Sequence, residues 1–76
     1  MRQLQNSIRD GEWFVVDRGM KIAVIVYLEI GPRRQRMYRS VTWAEVSADR
    51  RLIGYFPDLP MAAHITWREY KRVVPT

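Results

Sequence analysis

Cysteine is absent from the 76 residues, histidine occurs once and lysine only twice. Without cysteine there is no disulfide and no thiolate metal site to supplement a thin core, and no thiol nucleophile. His64 alone cannot furnish a histidine–cysteine metal set. Ser7, Ser40 and Ser47 have no histidine or carboxylate at a spacing that suggests a triad. A glycine-rich phosphate loop is missing too. Glu45 and Asp49 would share a face only if a helix began at Thr42, and solvated side chains are the simpler account. No catalytic residue, metal or cofactor is therefore expected. The longest uninterrupted apolar run, Ile22 to Leu28, has seven residues, whereas about 20 are needed to span a bilayer. Met1 to Glu12 lacks the apolar core and small-residue cleavage site of a secretory leader. A soluble cytoplasmic protein, with no membrane partner, is the expectation.

Apolar side chains are plentiful: they make up 47% of the chain and aromatics 12%. Leu, Ile, Val and Phe together number 20, which favours order over disorder. A chain this short forms one domain, spanning 1–76, with a small core and little stability margin. Its net charge is +5, which attracts nucleic acid, anionic surfaces or acidic proteins without choosing among them.

Residues 1–11 are polar, with Leu4 and Ile8 four apart, and read as a short helix or a flexible arm. Glu12 to Asp17 is an aromatic and β-branched strand, followed by Arg18-Gly19 as a hairpin turn. In Lys21 to Ile30, period two puts Ile22, Val24, Val26, Leu28 and Ile30 on one face, which reads as the core face. Lys21, Ala23, Ile25, Tyr27 and Glu29 share the other, mixed face. Left at an edge such a strand would aggregate, so it belongs in the centre.

Gly31-Pro32 stops that strand. In the next, Met37, Val41 and Trp43 share a face that Arg39 interrupts, and Tyr38, Ser40 and Thr42 take the other. Residues 42–50 are either a short helix opened by a Thr42–Glu45 capping box or, preferably, a broad loop around Ser47-Ala48-Asp49. Arg51 to Phe56 reads as the returning strand. Asp58 caps a final helix in which Leu59, Ala62, Ala63, Thr66, Trp67, Tyr70 and Val74 recur at helical spacing, ended by Pro75. The expected fold is α+β: a small antiparallel four-stranded sheet with a C-terminal helix packed on one face (ββββα). A small curled barrel is the competing arrangement.

Arginine outnumbers lysine 11 to 2. Arg33, Arg34, Arg36 and Arg39 fall within seven residues that contain no acid, and Arg50 and Arg51 lie across the expected hairpin. Six guanidinium groups beside Tyr38 would form a basic patch able to contact phosphate and base edges. Codon bias in a GC-rich gene would produce the same excess without function. If five arginines met phosphates, affinity would fall about a hundredfold for a threefold rise in salt.

The run Tyr38 to Trp43, then Arg51-Leu52-Ile53-Gly54-Tyr55-Phe56, then Asp58 to Ala63 with Trp67 and Tyr70, weakly resembles the plant AP2-type domain. It also resembles the related N-terminal arm-binding domain of tyrosine integrases. The resemblance covers residues 36–70, and Ile53 stands between Leu52 and Gly54 where the family pattern has none. It implies DNA binding through an exposed sheet face, with Arg36, Tyr38 and Arg51 as first contacts. The expected function is nucleic-acid binding through Arg33, Arg34, Arg36, Tyr38, Arg39, Arg50 and Arg51, with DNA slightly ahead of RNA. The alternative is a protein-interaction module, a small inhibitor or adaptor, meeting an acidic protein or a second copy of itself through Trp13, Phe14, Ala23, Ile25 and Tyr27.

Overall fold

The computed structural model of the chain describes residues 2–7 and 9–73. Met1, Ile8 and residues 74–76, and the side chains of Arg2, Arg72 and Val73, lie outside the described residues, and with them the expected helix positions Ile8, Val74 and Pro75. Five strands precede one helix: β1 (Arg2–Asn6), β2 (Glu12–Asp17), β3 (Met20–Ile30), β4 (Gln35–Thr42), β5 (Leu52–Phe56) and α1 (Leu59–Val73). All neighbours pair antiparallel in the order β1-β2-β3-β4-β5, an open α+β meander with α1 against one face.

The first segment differs from expectation. Arg2–Asn6 is neither helix nor free arm but an edge strand, paired with β2 from Arg2–Asp17 to Asn6–Trp13. Gln3, Leu4, Gln5 and Asn6 are all exposed, so burial contributes little to holding it. Backbone hydrogen bonds to the exposed side of β2 hold it, so the sheet has five strands rather than four.

Turn chemistry follows the sequence closely. Arg18 and Gly19 both take positive φ, 53° and 76°, the conformation whose twist matches a two-residue hairpin. The β3–β4 turn, Gly31 to Arg34, is closed by the Arg34 amide donating to the Gly31 carbonyl at 3.0 Å. Residues 43–51 form a loop with a single 3-10 turn, Ser47–Asp49. The Asp58 carboxylate accepts from the Met61 amide at 2.8 Å and caps α1.

β3 is central, as its hydrophobicity requires. The face that receives the helix is the opposite of the one expected. Val15, Ala23, Ile25, Ala62 and Ala63 form the buried core, so α1 covers the parity of Ala23 and Ile25, not that of Val24 and Val26. The reason is depth. Paired across the sheet, Ile25, Ser40 and Gly54 make a row in which two of three side chains are small or missing. Ala62, Ala63 and Thr66 of α1 settle into it, and the Ser40 and Thr66 hydroxyls hydrogen-bond to each other in full burial. Bulges between Val15 and Val16 and between Ser40 and Val41 each add a residue opposite. The added isoleucines, Ile22 and Ile53, both pack against the core cluster.

Candidate nucleic-acid interface

The expected basic patch divides into three places. Arg33 and Arg34 sit in the exposed β3–β4 turn, and Arg36 is exposed just below it, opposite Glu29. β2 pairs with β3 only as far as Val26, and β5 pairs with β4 only as far as Tyr38. Beyond those points β3 and β4 continue as a two-stranded ribbon whose pairs are Leu28–Met37, Glu29–Arg36 and Ile30–Gln35. The ribbon carries three exposed arginines and one acid, and it lies in a molecule whose longest extent is 42 Å against 23 Å in the other two directions.

Arg50 and Arg51 are at the other end of β4, about 25 Å from the turn at the usual rise per strand residue. Arg50 donates from Nε to the Ala44 carbonyl at 2.9 Å, and its guanidinium lies 4.2 Å from the Trp43 ring centroid. Arg51 is exposed, and its backbone amide donates to the Thr42 hydroxyl. These two do not join the turn arginines. Arg39 lies between the groups, on the face turned away from α1. It is half-buried, and its Nε is enclosed without a hydrogen-bond partner.

Tyr38 is on the helix side. Its ring lies 5.8 Å from Trp13 and 5.5 Å from Tyr27, in tilted contacts, and packs against the core. Its neighbours in that cluster are aromatic rather than the turn arginines. Ala23 and Ile25 are each 0% exposed, so they cannot meet a partner as an exposed interface would require. Burial beneath α1 corrects their place in that surface. Of the five residues considered for a protein interface, only Phe14 belongs to the face left open.

That open face contains groups the sequence pattern did not single out. Lys21 lies 4.2 Å from the Phe14 centroid and 5.1 Å from that of Trp43, and those two rings meet edge to face at 5.4 Å. A cleft of about 510 Å³ opens here, lined also by Arg9, Glu12 and Arg50. Period two assigned Lys21 to the other face. The bulge opposite Val15 and Val16 shifts the phase, so Lys21 pairs with Val16 and joins Phe14.

One row crosses the open face from β2 to β5: Glu12 on β2, Val26 on β3, Arg39 on β4 and Tyr55 on β5. The next is apolar from β2 to β5, through Phe14, Val24, Val41 and Leu52, and ends at Gln5 on β1. Leu52 is 57% exposed and Tyr55 45%. Among the described residues no group of three or more His, Cys, Asp or Glu could hold a metal ion. No described helix is long and apolar enough to cross a membrane. Compared with known proteins, the chain matches no family model, no curated protein and no solved structure.

Proposed function

We propose that the protein binds nucleic acid through the phosphate backbone, using the tip of the β3–β4 ribbon. The observation that carries this reading is the grouping of Arg33, Arg34 and Arg36, all exposed, on a ribbon projecting beyond its neighbouring strands. Guanidinium groups offer paired donors suited to phosphate oxygens. A projecting tip brings them to a polyanion without burying the rest of the sheet. The resemblance to the AP2-type and integrase arm-binding domains supports the same ligand class. Its sheet-face mode differs, because Tyr38 packs on the helix side and Arg51 lies at the far end of β4.

The test is fluorescence anisotropy with labelled duplex DNA, single-stranded DNA and RNA at two salt concentrations. Three phosphate contacts predict about a twentyfold loss of affinity for a threefold rise in salt, and more if two chains engage one ligand. Replacing Arg33, Arg34 and Arg36 together by glutamine is expected to abolish that salt dependence while leaving the far-ultraviolet circular dichroism and melting curve of the folded chain unchanged. No binding to any of the three at low salt, or undiminished binding by the triple variant, would overturn the reading.

A further inference from the structure

The open face of the sheet carries the second inference, which is independent of the ribbon. We infer that this face is covered by a second copy of the chain, related by a twofold axis running along β3 between the two sheets. The face is too apolar for its position. Val16 and Val24 are buried on it within the single chain, but Phe14, Val26, Leu28, Met37 and Val41 are only half-covered, and Ile30, Leu52 and Tyr55 are exposed. Stacked sheets pack about 10 Å apart with their strands nearly aligned.

Charge selects the occupant and the axis. Glu12 and Arg39 occupy the same row, one strand to either side of Val26. The Glu12 carboxylate accepts a hydrogen bond from the Ser7 hydroxyl at 2.7 Å, and neither Glu12 nor Arg39 has an ion-pair partner among the described residues. An enclosed Arg39 Nε with no acceptor is a costly group that a carboxylate on the opposing surface would satisfy. An isologous interface requires that if one residue faces another, the reverse contact also forms. With the axis along β3, β2 of one copy faces β4 of the other, so Glu12 faces Arg39 twice and Val26 faces Val26. Phe14 then faces Val41 in the apolar row alongside. An axis along the row instead would set Arg39 against Arg39 and Glu12 against Glu12. Lys21 is the one cation on β3 that meets its own copy, and it sits at the exposed end of the strand over the Phe14 and Trp43 rings.

A buried ion pair adds little net stability but specifies register strongly. The arrangement leaves both ribbons pointing the same way, with Arg36 on the side away from the partner.

Sedimentation of the full chain tests this directly. The wild type is expected to be a dimer at micromolar concentration. Glu12→Arg and Arg39→Glu each put two like-charge contacts into the interface and are expected to weaken association at least about a hundredfold. An equimolar mixture of the two restores both ion pairs and is expected to recover a heterodimer of wild-type mass. Glu12→Gln, which keeps side-chain size, and Arg39→Gln, which removes the charge but keeps a polar side chain, are expected to weaken association about tenfold and cover the case in which a reversal prevents folding. A wild type that stays monomeric to about 100 μM overturns the proposal and leaves the face to another protein or to nucleic acid. Unchanged association in the charge variants, or folded reversals that fail to combine, overturns it equally.

Discussion

Both faces of the sheet carry hydrocarbon, yet only one holds the helix. On the covered face the central row runs Trp13, Ile25, Ser40, Gly54, falling from a large side chain to none. On the open face the corresponding row runs Phe14, Val24, Val41, Leu52, bulky from end to end. A helix lined with alanine and threonine approaches the first closely and would stand off the second. Shape, and not total hydrophobicity, assigns the layers here. Close packing yields many dispersion contacts that a merely apolar but poorly fitting surface loses. The larger residues are left for a surface of their own kind.

Truncating adjacent residues of β3 separates the two faces most strongly. Ile25→Ala removes a fully buried side chain and is expected to destabilise the domain by about 3 kcal/mol, a large share of a small domain's total. Val26→Ala, one residue on, is expected to cost less than about 1 kcal/mol in dilute solution, where the open face is solvated. Thermal melts followed by circular dichroism would measure both, and equal losses would mean that the two faces are equally buried. Next in size is the buried hydroxyl pair. Ser40→Ala strands the Thr66 hydroxyl and is expected to cost about 2 kcal/mol, while Ser40→Ala with Thr66→Val recovers most of the loss. A smaller loss than that of the hydroxyl pair is expected at Gly54, where an added Cβ would come within 3.0 Å of the Phe56 ring. Gly54→Ala is expected to cost about 1 kcal/mol, and to cost nothing further in a Phe56→Leu background.

Much of this organisation is legible in the amino-acid order. The central place of β3 follows from its unbroken apolar run, the first hairpin from Arg18-Gly19, the helix stripe from Ala62, Ala63 and Thr66, and the cap from Asp58. Three things were hidden, each for a physical reason. β1 has no hydrophobic alternation to read, because backbone pairing to β2 and not burial keeps it in place. The choice of face depends on the fit between Gly54, Ser40 and the alanines of α1, residues distant in sequence whose small size scores poorly as hydrophobicity. The bulges change the phase of a period-two pattern midway along a strand, which moved Lys21 to the aromatic side. Arginine spacing in sequence likewise concealed distance in space. Arg39 and Arg50 are separated by a strand end and a loop, and the eight residues of β4 hold the turn arginines away from Arg50 and Arg51.

Arg39 illustrates how a feature that looked irregular in the sequence becomes informative in the fold. As an interruption of a core face it would be a buried cation without a partner. On the open face, level with Glu12 across Val26, it is half of a self-complementary pattern.

Because the chain contains no cysteine, a single introduced thiol reports on one face alone. The most direct measurement is therefore the rate at which a thiol reagent labels Ile25→Cys and Val26→Cys across a range of protein concentrations. The Ile25 position is expected to react slowly at every concentration, limited by opening of the fold. The Val26 position is expected to react rapidly when dilute and to become protected as the chains associate. Rapid labelling of Ile25→Cys with protection of Val26→Cys in dilute solution would place the helix on the other face and contradict the account.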